Sequence, residues 1–219
     1  MHDVYSFVSG PMVWVAFIVF IAGSLFKLIG LIRLAQQKEK FIFTYMSWKY
    51  SLRSILHWMT PFGTQNMKQH PFFTIVTFVF HICLLATPLF LSAHIILFEE
   101  SWGISWWSLP DGLADIMTAL VILCCIFFLV RRLKEPEVQY VTSTSDYILL
   151  LVVALPFLSG FLAYHQWLDY PVSLIIHIVS GEVMLMVIPF TRLVHMLFAP
   201  LTRAYMGSEF GGVRKAKDW

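Results

Sequence analysis

Four histidines lie inside long apolar stretches of this sequence, where ionisable side chains are rare. They are His81, His94, His177 and His195. A histidine within a membrane span marks by default a pathway, a partner site or a cofactor site. Neutral imidazole is an axial ligand for haem iron, and two helices that each offer two imidazoles at different depths can hold two haems. The four residues therefore favour two b-type haems, stacked across a bilayer.

The spacing of these histidines can be examined on an ideal helix. His195 follows His177 by 18 residues, or five whole turns, so a continuous helix would carry both on one face, about 27 Å apart. His94 follows His81 by 13 residues, which leaves the two about 140° apart around a straight helix. Pro88 lies between them and can kink the helix, which would repair part of that angle.

Depth in the membrane decides which histidines can share an iron atom. The stretch around His81 is expected to run outward and the stretch around His177 inward. His94 then lies level with His177 near the outer surface, and His81 lies level with His195 near the cytoplasm. His70, eleven residues before His81 and about 20° off its face, stays open as an alternative inner ligand. The alternative for both pairs is that the rings are packing residues bonded to backbone carbonyls. Three other histidines are interpreted as interfacial: His2, His57 and His165.

The composition is that of a membrane protein. Of the 219 residues, 58% are hydrophobic and 13% are charged, whereas soluble domains carry about 25% charged residues. The apolar runs are continuous and about 20 residues long, which fits spanning helices and not the alternation of a barrel. We predict an all-α bundle of five transmembrane helices that forms one domain over residues 1–219, with spans at about 11–31, 72–98, 112–130, 146–164 and 172–198.

The distribution of charge predicts the orientation. All 15 Lys and Arg residues lie in or beside the segments 27–68, 131–134 and 192–217, and the opposite side carries only acids. Because Lys and Arg remain in the cytoplasm, the amino terminus should lie outside and the carboxyl terminus inside a bacterial cytoplasmic membrane. With a net charge of only +2, we expect the lipid bilayer and no nucleic acid as a partner.

The polar segment between the first two spans, 33–69, mixes basic and aromatic residues. It is predicted to be amphipathic and to lie on the lipid headgroups, with Pro61 and Gly63 ending it. The three cysteines all fall in apolar runs and are interpreted as packing residues. No Cys-x-x-Cys-His occurs, which excludes covalently attached c-type haem.

Three further ionisable residues are candidates for a role beside the cofactors. Glu182 lies well inside the fifth span, where it could accept a proton beside a quinone or a haem propionate or form a structural hydrogen bond. Asp115, near the outer end of the third span, could face a quinone hydroxyl or be an ordinary interfacial carboxylate. Arg192, one turn before His195, could neutralise a haem propionate or reach a lipid phosphate.

The carboxyl-terminal half resembles the gamma subunit of respiratory nitrate reductase, a five-span di-haem cytochrome b. The resemblance lies in Arg131–Leu133 with Pro136 and Val138, in Thr142–Leu149 (TSTSDYIL) and above all in Ile188–His195 (IPFTRLVH). In the second span, Phe80–Ile82 is similar to the segment that carries the family's inner-haem ligand. The resemblance implies that His81 and His195 bind the inner haem iron, and that His94 and His177 bind the outer one.

The sequence departs from that family in two places. The family's two histidines in the second span are closer together than His81 and His94. A basic residue that the family has near Asp115, and that has been linked to quinone binding, has no Lys or Arg counterpart here.

The chain also resembles the gamma-type membrane subunits of redox complexes in sulfate-reducing bacteria. This likeness lies in Trp58–Gly63 (WMTPFG), Glu99–Ile104 (EESWGI) and Ala204–Gly211 (AYMGSEFG). It implies two haem b groups, other membrane subunits, a cytoplasmic iron-sulfur subunit, and a periplasmic multihaem cytochrome c or menaquinone as electron partner. The expected function is electron conduction across the membrane. A quinone-reactive subunit with its own quinol site and a cofactor-free membrane anchor are the alternatives.

Overall fold

A computed structural model describes residues 2–38 and 40–216, and this part of the chain is helical, without strands. The first apolar run forms one long helix, α1, which has a π-helical stretch at Val8–Met12 around Pro11. The α-helices are α1 (His2–Lys38), α2 (Phe41–Tyr45), α3 (Trp48–Met59), α4 (Gln65–Gln69), α5 (Pro71–Phe90), α6 (Ser92–Trp102), α7 (Asp111–Lys134), α8 (Pro136–Val141), α9 (Thr144–Tyr164), α10 (Tyr170–Val187) and α11 (His195–Met206).

Five of these helical stretches are long and apolar enough to cross a membrane. They are His2–Lys38, Pro71–Phe90, Asp111–Lys134, Thr144–Tyr164 and Tyr170–Phe190. The predicted all-α fold with five membrane helices is therefore confirmed. Large apolar side chains cover the outside of these helices, as expected for surfaces that face lipid.

The chain divides into two compact units. The first unit comprises Met1–Gly10 and Val76–Met184, and the second comprises Pro11–Ile75 and Leu185–Trp219. The proposal that residues 1–219 act as one membrane domain stays a prediction from the sequence.

The core of the first unit lies where α7 and α9 pack against α5. Cys83, Val121, Cys125 and Phe157 form its buried centre. Cys83, Cys124 and Cys125 are all free and buried, which confirms that the cysteines are packing residues. The turn before α9 is fixed by the buried Asp146, whose carboxylate accepts a 2.8 Å hydrogen bond from the Ser143 N–H. Part of the TSTSDYIL stretch is thus a helix start, with a role in local structure.

The second predicted span is two helices. α5 ends at Phe90, Leu91 is extended with φ −71° and ψ 128°, and α6 begins at Ser92. The straight-helix angle of about 140° between His81 and His94 therefore does not apply, because the break resets the helix phase. The sequence pointed to Pro88 as a kink, but the interruption lies three residues later.

The fifth predicted span is also interrupted. α10 ends at Val187, a 3₁₀ turn covers Ile188–Phe190, and Thr191 is extended before a second short 3₁₀ turn, Arg192–Val194. The prediction that His177 and His195 lie on one face of a continuous helix is therefore wrong. Pro189 lacks a backbone N–H, and its ring clashes with the backbone of the preceding turn in a regular α-helix. The helix therefore cannot continue regularly through this point.

In the second unit, α3 packs against α11 and the π-helical stretch Gly207–Val213 that follows it. Its seam is built from small residues: Ser208 is fully buried and its hydroxyl lies 3.1 Å from that of Ser51 and 3.0 Å from the Ser47 backbone N–H. A side chain at Gly207 would collide with the Tyr50 carbonyl, so only glycine fits there. The predicted amphipathic segment is therefore a folded part of this unit.

The outward face of α3 carries an exposed apolar stripe of Trp48, Leu52, Leu56 and Met59. An apolar stripe beside basic residues is the pattern of a helix that lies on a membrane surface. α3 ends at Met59, just before Pro61, as the sequence predicts. Gly63 is needed after it, because a side chain there would collide with the His57 carbonyl.

Candidate haem-binding site

His94 and His177 face one another within the first unit. His94 lies in the first turn of α6 and His177 near the middle of α10. Their ring centroids are 5.9 Å apart and their planes make an angle of 15°. Thus two histidines that are 83 positions apart in the sequence come together, as the depth argument predicted for the outer pair.

Both rings are held by backbone carbonyls through the same nitrogen. The His94 Nδ1 lies 2.9 Å from the Pro88 carbonyl oxygen, and the His177 Nδ1 lies 2.8 Å from that of Pro156. A carbonyl oxygen only accepts hydrogen bonds, so each Nδ1 must carry the proton. The lone pair of each neutral ring is then on Nε2, which is the tautomer that a metal-binding histidine with such an outer hydrogen bond adopts.

Gly160 of α9 gives the His177 ring its space. A Cβ atom at this position would lie 2.9 Å from both Cε1 and Nδ1 of His177, closer than side-chain carbons approach other atoms. From the sequence alone, Gly160 and Gly181 are both candidates for the close approach of a porphyrin or of another helix. Gly181, in contrast to Gly160, has open space where its Cβ would be.

These positions fit a haem iron. Both rings are imidazoles with the lone pair on Nε2, a nitrogen with which histidine can bind haem iron, and their centroids lie 5.9 Å apart. The two Nδ1 hydrogen bonds fit that role, because histidines that bind a metal usually donate their other ring N–H to such an acceptor. His94 and His177 would therefore be the residues that bind this haem.

The two predicted inner ligands show the same hydrogen bond within their own units. In the first unit the His81 Nδ1 lies 2.8 Å from the Thr77 carbonyl oxygen, and in the second unit the His195 Nδ1 lies 2.9 Å from the Arg192 carbonyl oxygen. Both rings thus keep their lone pair on Nε2. His70, the alternative inner ligand, is exposed at the end of α4. The assignment of an inner pair stays a prediction from the sequence.

Asp115 has a partner that the sequence reasoning missed. Its carboxylate lies 2.9 Å from the His165 Nε2, and both side chains are partly exposed. The His165 ring is packed among Phe161, Tyr164 and Trp167. His165 was interpreted as interfacial, and the signal that could have paired it with Asp115 is that both lie at the helix ends on the acidic side. Because Nε2 donates to the carboxylate, His165 does not offer that nitrogen to a metal.

The two remaining candidates, Glu182 and Arg192, differ in their exposure to solvent. Glu182 is buried in α10, and neither carboxyl oxygen has a hydrogen-bond partner among the described residues. Arg192 is exposed in the 3₁₀ turn before His195, and its carbonyl holds the His195 ring. A buried carboxyl without a partner is costly in its charged form, so Glu182 is an unusual residue in this unit.

Comparison with known proteins gives one family and one long relative. The nitrate reductase gamma subunit family matches residues 163–216, a stretch that includes His177 and His195. A protein of Nitratidesulfovibrio vulgaris strain Hildenborough is 37% identical over 210 residues, which cover 94% of this chain and 93% of the relative. No solved structure matches the chain.

The breadth of that match shows common descent over nearly the whole length, and the family match supplies the class of protein. The five membrane helices agree with it. The chain therefore belongs to one family with this relative, and its carboxyl-terminal part, residues 163–216, matches the nitrate reductase gamma subunit family.

Proposed function

We propose that this chain is a di-haem cytochrome b subunit that conducts electrons across the membrane. The observation that carries the proposal is the His94–His177 pair, with ring centroids 5.9 Å apart and each Nδ1 bonded to a backbone carbonyl. A bound haem supplies one-electron chemistry, as its iron alternates between Fe(III) and Fe(II). The protein's part is to hold the imidazoles in position and to keep the surroundings dry.

The second haem is proposed from the sequence, with His81 and His195 as its ligands. In each, the Nδ1 bonds a backbone carbonyl, which puts the proton on Nδ1 and the lone pair of the ring on Nε2, the tautomer that metal-binding histidines with such an outer hydrogen bond adopt. Arg192 is proposed to neutralise a propionate of this haem, since a guanidinium and a carboxylate form a charge-assisted pair. With one haem toward each surface, electrons could pass from one side of the membrane to the other.

The partners are proposed from the resemblance described above, and the charge of the two sides indicates where each would bind. We propose a periplasmic multihaem cytochrome c or menaquinone at the acidic end of the first unit, which carries Glu99, Glu100, Asp111 and Asp169. An acidic surface speeds the encounter with a basic partner. A cytoplasmic iron-sulfur subunit of the same respiratory complex is proposed at the basic side.

Haem content and redox titration test this function. Pyridine haemochrome analysis of the purified protein should give two haem b per chain, and a titration should resolve two potentials. His177→Ala and His195→Ala should each remove about half of the haem and one of the two potentials. If neither variant loses haem, the ligand assignment is refuted. If the pure protein has no b-type absorption band, both redox functions are refuted and only the cofactor-free membrane anchor remains.

A quinone-reactive subunit is the second candidate, and two observations favour it. The Asp115–His165 pair lies partly exposed at the acidic end, and its 2.9 Å hydrogen bond links a carboxylate to an imidazole that can exchange protons. Glu182 is a second carboxyl, buried and without a partner among the described residues. A menaquinol analogue that reduces the haems in wild type but not in Asp115→Asn would support this function, and haems indifferent to quinol would support the conduit alone.

A further inference from the structure

The break in the second span leaves three backbone carbonyls without helical partners. In a continuous helix the carbonyls of Pro88, Leu89 and Phe90 would accept from the N–H groups four residues later. Leu91 is extended, however, and the amides that follow begin a new helix. Carbonyls within or near a bilayer must find other donors, because water is scarce there.

Each of the three carbonyls finds a different donor. The Pro88 carbonyl accepts from the His94 ring, as described above. The Leu89 carbonyl accepts a 2.8 Å hydrogen bond from the Trp106 indole Nε1, and the Phe90 carbonyl accepts a 2.8 Å hydrogen bond from the Leu109 backbone N–H. Two of the three donors thus come from one loop, residues 103–110, which joins α6 to α7.

Ring contacts strengthen the attachment of this loop. Trp107 stacks on Phe90, with ring centroids 4.4 Å apart and planes at 21°. Trp106 also packs against Phe98 of α6, at 5.3 Å between centroids. The loop therefore contacts both the helix before the break and the helix after it.

The competing conformation is a helix that runs through Leu91. In that conformation the N–H of Ser92 would bond the Pro88 carbonyl and the N–H of Ala93 would bond the Leu89 carbonyl. The first would displace the His94 ring from its acceptor, and the second would displace the Trp106 indole. The indole and the imidazole therefore stabilise the same conformation, in which His94 faces His177.

We propose that Trp106 is a positioning residue for the haem that His94 and His177 would hold. Its indole N–H keeps the Leu89 carbonyl out of a continuous helix and so fixes the break that directs the His94 ring. This inference rests on the proposed function for the haem, but its action on the helix break can be measured separately.

The test compares Trp106→Phe with Trp107→Phe. The first replacement keeps an aromatic ring and removes the N–H that bonds the Leu89 carbonyl, whereas the second keeps a ring that can stack on Phe90. Redox titration and low-temperature EPR report on each haem, and the haem at the other pair serves as an internal control for folding. Hydrogen exchange of peptides over residues 86–96 reports on the break without reference to haem.

In Trp106→Phe we expect affinity for one of the two haems to fall about 10-fold, the lower end of the usual effect of losing an outer hydrogen bond. The potential of that haem should rise and part of it should become high-spin, while the other haem is unchanged. Amides at the start of α6 should exchange more slowly, because the helix closes through Leu91. Trp107→Phe should leave all of these at the wild-type values.

Five outcomes would overturn the inference. If both haems in Trp106→Phe are unchanged, the inference is refuted while the proposed function stands. Unchanged hydrogen exchange over residues 86–96 refutes it in the same way. Equal loss of both haems in Trp106→Phe, or the same effect in Trp107→Phe, would show that Trp106 contributes only to the general packing of the protein. A wild-type protein without haem would instead remove the proposed function, and the inference with it.

Discussion

The contact between Gly160 and His177 permits a quantitative test of the site, by the replacement Gly160→Ala. The new Cβ would lie 2.9 Å from two atoms of the imidazole, whereas ordinary contacts begin at 3.4 Å. The ring must therefore retreat by about 0.5 Å or more, and bonds between metals and their ligands tolerate only about 0.2 Å. Overpacking of this kind costs about 1–3 kcal/mol, which corresponds to roughly 5- to 150-fold weaker binding of the haem.

The assay is haem retention and spectroscopy in purified protein, with Gly181→Ala as the matched control. Gly181 lies on the same helix as His177, and a Cβ there meets nothing within 4 Å. Gly160→Ala should lower the content of one haem or change its EPR signal, and Gly181→Ala should retain both haems. If Gly160→Ala holds both haems with unchanged potentials and spectra, the argument that His177 ligates from this position is refuted.

Three further predictions concern the rest of the molecule. Ser208→Ala removes the acceptor of the Ser47 N–H inside a buried seam and should lower the free energy of unfolding by about 1–2 kcal/mol, measured by thermal denaturation in detergent; an unchanged midpoint would contradict it. Asp146→Ala removes the acceptor at the start of α9 and should cost about 1–2 kcal/mol in the same assay. Replacing Glu99 and Glu100 together by Gln should slow haem reduction by a basic cytochrome roughly 10-fold at low salt, while reduction by an uncharged reductant is unaffected; equal rates would remove the acidic end from docking.

The five membrane helices were predictable because each rests on a continuous apolar run of sufficient length. The two interruptions were not, although both lie near prolines that the sequence displays. After Pro88 the helix continues to Phe90, and after Pro189 a 3₁₀ turn leads to the extended Thr191. Where a helix breaks depends on which donors satisfy the carbonyls it leaves. At Leu91 those donors are the side chain of His94 and a loop about 15 residues away, which no local pattern reveals.

The histidines of the candidate site could be singled out from the sequence because ionisable side chains are rare within membrane spans. Their surroundings were not found. That Gly160 makes room for His177 depends on how α9 packs against α10. The bond from His165 to Asp115 depends on which helix ends meet at the acidic side. Both are consequences of packing between helices, and sequence spacing describes positions along one helix only.

The alternative that the histidines are mere packing residues can be weighed from the protons of the outer pair. A bond to a backbone carbonyl is what a packed histidine would also make, so this bond alone does not decide. Each neutral ring, however, has only one N–H, and that N–H donates to a backbone carbonyl. The acceptor is the Pro88 carbonyl for His94 and the Pro156 carbonyl for His177. The two neutral rings therefore cannot hydrogen-bond one another, yet they lie 5.9 Å apart with nearly parallel planes. Each ring therefore keeps an Nε2 lone pair that packing alone does not use and that an electron-pair acceptor such as haem iron can bind.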